Sequence, residues 1–355
     1  MKYYLVLFPI LLSSIVFSQE NVSYAQTYIR SEKIENVTRV FLDKNGHVYP
    51  LSDIDENLFR NANYELKKLS RLVSVNTDTS YWTWQKRQNE FSEKLASKLN
   101  GEISSEQNLY IFIHGFRKPA APINGDTSAH DDYGFMRERI NQATGKENYF
   151  LEIYWDGMYL KPEHSLKFIV SLGKMFKKQA KANAENAGLG LRKVISKIEK
   201  NDITVITHSL GAEVLTSLLF NAKEKEEEAT PHQRINICMA APAISKKEFK
   251  RYYNRSLENP FIGRDNYNLT IIYNEEDFVL SKAYKFLGVK LSFSRRYGNT
   301  RLGCNCGNEA YELEEYFEKH FPSSPIQLIH ATSFGASHHS LSYFGSEEFM
   351  HYLTK

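Results

Sequence analysis

The chain has 355 residues, and 45 Lys and Arg against 42 Asp and Glu give a formal net charge of +3. That near balance excludes a protein built mainly to grip nucleic acid, while 42% hydrophobic and 25% charged residues exclude a disordered chain. Gly 18 and Pro 10 exclude collagen-like and linker-dominated classes, and Cys 3 excludes both a disulfide scaffold and a four-Cys zinc site.

In chain order, Met1 and Lys2 open a run from Tyr3 to Phe17 that is apolar apart from Pro9, Ser13 and Ser14. Val16 and Ser18 fit the small-residue rule for cleavage before Gln19, so residues 1–18 read as a signal peptide and the chain as secreted or periplasmic. The run is too short for a good membrane anchor. No Cys precedes Cys238, which excludes a lipid-modified N-terminal Cys.

Residues 19–105 read as an N-terminal extension packed on the main domain. Val40-Phe41-Leu42 and Val48-Tyr49 flank Asp43-Lys44-Asn45-Gly46, and the Asn-Gly pair predicts a hairpin. Helices follow near 57–72 and 81–99, with Asn100-Gly101 as a stop for the second.

Residues 106–355 alternate strand and helix. Strands are predicted at Leu109–Ile113, 150–155, 203–207, 235–240, 269–273 and 325–329. Helices are predicted at 135–143, 165–187, 189–200, 210–225, 246–254, 280–287, Glu309–His320 and Glu347–Leu353. Continuous apolar strands alternating with helices predict an α/β fold, a mostly parallel central sheet covered by helices on both faces.

The sharpest chemical signal is Val205-Ile206-Thr207-His208-Ser209-Leu210-Gly211-Ala212. A strand ends, a Ser follows within two residues, and a helix starts at once, which is the context of a nucleophile elbow. The turn must be tight, so the positions two before and two after the Ser should be small. Gly211 fits; Thr207 departs from the usual Gly. The bland alternative is a Ser that caps an ordinary helix.

Three further segments bear on that choice. His114-Gly115-Phe116 ends an earlier strand, and the N–H groups of Phe116 and Leu210 would form an oxyanion hole. His114 reads as a structural hydrogen-bonder beneath the site rather than a base. Asn274-Glu275-Glu276-Asp277 follows an apolar strand, and Asp277 is chosen as the acid, with Glu275 and Glu276 as alternatives. Ser337-His338-His339-Ser340 follows the last strand. His339 is chosen as the base because His-Ser before Tyr343-Phe344 looks like the start of a final helix; His338 is its competitor.

These motifs together resemble the alpha/beta-hydrolase superfamily, and more narrowly its bacterial esterase/lipase-like branch. The resemblance is carried by His114-Gly115-Phe116, Tyr154-Trp155-Asp156-Gly157, Thr207 to Gly211, Ala240-Ala241-Pro242, Asp277-Phe278-Val279-Leu280-Ser281, Arg301-Leu302-Gly303 and His339-Ser340, in the family's order over about 106–355. Ala243 stands where related sequences often carry an Asp, which leaves the acid at Asp277. The resemblance implies acyl transfer on an ester by Ser209, with His339 as general base and no cofactor. A peptidase or amidase on the same triad, and a non-catalytic binding module on the same scaffold, are the competing functions.

The remaining features read more blandly. His130-Asp131-Asp132 reads as a solvated loop rather than a cation site. Leu166, Ile169, Val170, Leu172, Met175 and Phe176 form a stripe within 161–200. That stripe is read as a helix packed on the sheet, with a lid meeting a lipid surface as the alternative. Cys238 is a buried small hydrophobe, and Cys304 and Cys306 are loop thiols or a labile disulfide rather than a metal pair. The expected partner is a small-molecule or lipid ester, not nucleic acid, and no metal or cofactor is implied.

Overall fold

The computed structural model describes residues 34–50, 81–118, 127–157, 176–221, 234–258, 267–281, 283–286, 289–292 and 302–354. The expected signal peptide, the expected helix near 57–72 and most of the stripe in 161–200 lie outside these residues.

Strands β1 (Val37–Leu42), β2 (Val48–Pro50), β3 (Leu109–Ile113), β4 (Tyr149–Trp155), β5 (Asp202–His208), β6 (Arg234–Ala240), β7 (Tyr267–Tyr273) and β10 (Ile326–His330) form one sheet in the order β10-β7-β6-β5-β3-β4-β1-β2. Every neighbouring pair is parallel except β1 with β2. β3 and β4 are buried along their whole length, so both faces of the sheet are covered.

The helices are α1 (Tyr81–Glu102), α2 (Ala129–Thr144), α3 (Lys181–Ile195), α4 (Gly211–Phe220), α5 (Lys246–Glu258), α6 (Phe278–Ser281), α7 (Glu309–His320), α8 (Ser340–Phe344) and α9 (Glu347–Leu353). A single π-helical turn, Phe176–Ala180, leads into α3.

The sheet order fixes where a ligand can sit. From β3 the chain moves outward to β4, then returns to place β5 on the other side of β3. Such a reversal opens a crevice beyond the carboxyl ends of the two strands, where ligands of open α/β sheets bind. Ser209 follows β5 and His114 follows β3, so both turns border that crevice.

The segment expected as an N-terminal extension supplies β1 and β2 to the edge of the same sheet. Its hairpin is present, pairing Leu42 with Val48. β1 docks through a buried charge. Arg39 and Glu152 are register partners, and the Arg39 Nε donates to Glu152 at 3.0 Å. Arg137 of α2 and the Tyr154 hydroxyl also bond Glu152. One expectation changes: among the described residues, the helix expected at 280–287 does not form. α6 ends at Ser281, and β8 (Ala283–Phe286) and β9 (Val289–Ser292) form a separate antiparallel ribbon. The alternation Ala283-Tyr284-Lys285-Phe286 followed by Gly288 has the period of a strand, not of a helix.

Glu152 is wholly buried, and replacing its carboxylate removes the anion that Arg39 and Arg137 share. Glu152→Gln is therefore expected to cost about 3 kcal/mol of stability. Urea unfolding measures it, and an unchanged midpoint would contradict this account of how β1 docks.

Candidate active site

The elbow forms because its neighbours leave no room for another path. Ser209 has φ 53, in the left-handed region that favours glycine. Its N–H donates to the Ala240 carbonyl at 3.0 Å, and its own carbonyl accepts from Ala212 and Ala243. A Cβ on Gly211 would lie 2.5 Å from the Ile113 carbonyl oxygen, and one on Gly115 would lie 2.9 Å from the Ser209 Cβ. Glycine at these two positions lets the turns after β3 and β5 touch. Thr207 is tolerated because it still lies within β5, paired with Ile113 and Met239.

Ser209, His338 and Asp277 come together. The Ser209 Oγ lies 3.0 Å from His338 Nε2, and His338 Nδ1 lies 2.6 Å from Asp277 Oδ2. An ionised carboxylate only accepts, so Nδ1 carries the proton and Nε2 offers its lone pair to the Ser209 hydroxyl. Asp277 is fully buried and each of its oxygens is bonded twice. Oδ1 accepts the Val279 and Leu280 N–H groups at 3.0 and 2.9 Å, capping α6. Oδ2 accepts His338 and the Tyr343 hydroxyl, the latter at 3.0 Å. Burial and the neighbouring Asp277 charge push the Tyr343 phenol well above its ordinary pKa, so it stays a donor.

The choice of His339 is corrected: the histidine on Ser209 is His338. His339 is exposed and stands at the N-cap of α8. The reason is local. Backbone here is extended, and successive residues of an extended segment face opposite ways; one histidine faces the serine and the other faces solvent. Glu275 and Glu276 are exposed as well, which leaves Asp277 as the carboxylate at the site.

The proposed oxyanion donors also border the crevice. Leu210 is the N-cap of α4, and Phe116 follows the Gly115 that lies against Ser209. Among the described residues neither N–H donates to a protein partner. The α4 N-terminus points the same way and favours negative charge.

Two other histidines line the site and stay neutral. His114 accepts from the Trp155 N–H at Nε2 and bonds the Gly115 carbonyl through Nδ1. Burial, with Lys118 nearby, lowers its pKa to about 4. Burial and the adjacent His338 hold His208 well below the ordinary histidine value, with its ring 4.9 Å from that of His338.

The other expected loops have definite places. Asp131 completes a capping box with Ser128 at the start of α2, and Asp132 is buried against Lys118. The His130-Asp131-Asp132 stretch is thus a helix start, not a solvated loop. Phe176 packs edge-on against Phe116 at 5.2 Å. Leu166, Ile169, Val170, Leu172 and Met175 lie outside the described residues. Cys304 and Cys306 are joined by a disulfide, and Cys238 is free and buried.

Residues 171–292 match a family described as alpha/beta hydrolases of unknown function (DUF900). Sheet order, elbow and this match together give the chain an alpha/beta-hydrolase fold. It is also similar to a solved chain provisionally named a cell surface hydrolase of Lactobacillus plantarum WCFS1, at 11% identity and a TM-score of 0.33, over 66% of this chain and 86% of that one. No curated protein matches it.

Gly211→Ala must move backbone, because the atoms it meets are carbonyl oxygens of β3 and the turn after it. We expect it to cost about 2 kcal/mol. Gly101, near the end of α1, meets nothing within 4 Å, so Gly101→Ala should be neutral or stabilising by roughly 0.5–1 kcal/mol. Urea unfolding of the pair checks this, and equal midpoints would contradict the close approach of the two turns.

Proposed function

We propose that the chain is an exported serine hydrolase that cleaves esters, of small molecules or lipids, through an acyl-enzyme on Ser209. One observation carries the reading: Ser209, His338 and Asp277 form an unbroken hydrogen-bonded relay, with the carboxylate buried and the serine on a left-handed turn.

The chemistry follows from that relay. His338 takes the Ser209 proton at Nε2 as Oγ attacks the carbonyl carbon, and Asp277 stabilises the imidazolium from its Nδ1 side. The carbonyl oxygen becomes an oxyanion, which the Leu210 and Phe116 N–H groups receive. His338 then gives its proton to the leaving alkoxide. A water gives a proton to Nε2 and attacks the acyl carbon; the bond to Ser209 Oγ then breaks, Oγ takes that proton back, and the acid leaves. Removing an oriented base or nucleophile from such a set typically costs a factor of about 10⁴ or more in kcat.

Export rests on the apolar run of residues 1–18, and the ester preference rests on the family resemblance. Both are tested on one preparation: enzyme collected outside the cytoplasm should begin at Gln19, and it should hydrolyse p-nitrophenyl esters. Ser209→Ala should lower kcat by about 10⁶, and Asp277→Asn by about 10⁴. Full activity in Ser209→Ala would overturn the mechanism. Absence of ester hydrolysis and of fluorophosphonate labelling in wild type would favour a binding module on this scaffold.

A further inference from the structure

The relay explains how Ser209, His338 and Asp277 are linked, but not how His338 keeps its place relative to the oxyanion turn. These belong to separate stretches of chain, one after β10 and the other after β3. A polar cluster outside the relay, with Asp132 and Ser340 buried in it, joins them.

Lys118 stands two residues after Phe116. Its ammonium donates to Thr127 Oγ1 at 3.0 Å, to the Asp132 carboxylate at 3.0 Å and to Ser340 Oγ at 3.2 Å. Those bonds use all the hydrogens of the group. Asp132, in the first turn of α2, is 2% exposed. Its other oxygen accepts the Ser340 hydroxyl at 2.5 Å. Ser340 opens α8 and stands two residues after His338. So the residue two past the oxyanion donor and the residue two past the histidine meet on one carboxylate.

Neighbouring backbone sharpens the arrangement. Between Phe116 and Lys118, Arg117 takes φ 60 and its N–H donates to the Gly157 carbonyl at 2.7 Å. At the other end of α8, Tyr343 bonds Asp277. The short helix after His338 is thereby fastened on one side to the oxyanion turn, through Ser340, and on the other to the acid, through Tyr343. Its five residues have little stability of their own, so these side-chain bonds fix where it sits.

We propose that Ser340, held by Lys118 and Asp132, is a positioning residue that sets His338 against the Phe116 N–H across Ser209. The proposal rests on the serine-hydrolase reading above. Ser340 never touches the reacting atoms. It acts on kcat because a displaced histidine still binds substrate but transfers its proton along a poorer line.

The mildest probe is Ser340→Ala, which removes the linking hydroxyl and leaves the Lys118–Asp132 pair intact. With p-nitrophenyl butyrate, kcat should fall about tenfold while KM stays within about twofold. Ser340→Thr returns a hydroxyl and should recover most of the loss. Lys118→Met should lower kcat by a similar factor. Because both act through one contact, the double variant should lose little more than either single one. Fluorophosphonate labelling of Ser209 should slow in parallel, and thermal unfolding of Ser340→Ala should stay close to wild type. A purely structural role predicts a lower melting temperature with kcat per folded molecule unchanged. That outcome overturns the proposal, as do strictly multiplicative losses in the double variant. If instead Ser209→Ala keeps wild-type activity, the serine-hydrolase reading itself has failed, whatever Ser340 does.

Discussion

A serine held in left-handed backbone is an unfavourable conformation, costing on the order of 1–3 kcal/mol, and the rest of the site is arranged around keeping it. Ser209 can take φ 53 only because its N–H and carbonyl are both committed to the turn after β6 and to α4. The turn after β3 then closes against it through Gly115, and α4 closes against β3 through Gly211. The strand order supplies the setting: β3 and β5 are neighbours although the chain visits β4 between them. The crevice, the place of the Ser209 Oγ beside it and the Leu210 and Phe116 N–H groups, unpaired among the described residues, are consequences of that one packing arrangement.

Buried charge gives the site its second constraint. Among the described residues, the carboxylates of Glu152 and Asp277 are fully buried, and their partners set their roles. Glu152 is matched by Arg39 and Arg137, which are always charged, and it locks β1 to β4. Asp277 is matched by backbone N–H groups, a phenol that cannot readily ionise, and one histidine. Only that histidine is placed to change its charge against Asp277. His114 and His208, held neutral by burial, put no second cation beside Ser209. The surroundings thus suit a proton that moves between Ser209 and His338.

Much of this was legible in the sequence because it depends on local pattern. Leu109–Ile113 is apolar throughout and is a central strand, and Glu309–His320 and Glu347–Leu353 keep their predicted bounds. The serine elbow was legible for the same reason: strand, tight turn and helix lie within a few residues of one another. Features set by tertiary contact were not. Which of His338 and His339 faces Ser209 depends on how the loop enters α8, and both carry the same ring. Asp132 sits among polar loop residues, and nothing local shows that Lys118 and Ser340 converge on it from either side of the site. Residues 37–50 carried a clear hairpin, yet their membership of the main sheet depended on Arg39 meeting Glu152, more than a hundred residues away.

The central claim is that His338, and not its neighbour, activates Ser209. The most direct measurement is fluorophosphonate labelling followed by peptide mapping, in wild type, His338→Ala and His339→Ala. The account predicts the adduct on Ser209 in wild type and in His339→Ala at similar rates, with labelling all but lost in His338→Ala. Labelling that survives in His338→Ala and disappears in His339→Ala, or an adduct on another residue, would contradict it.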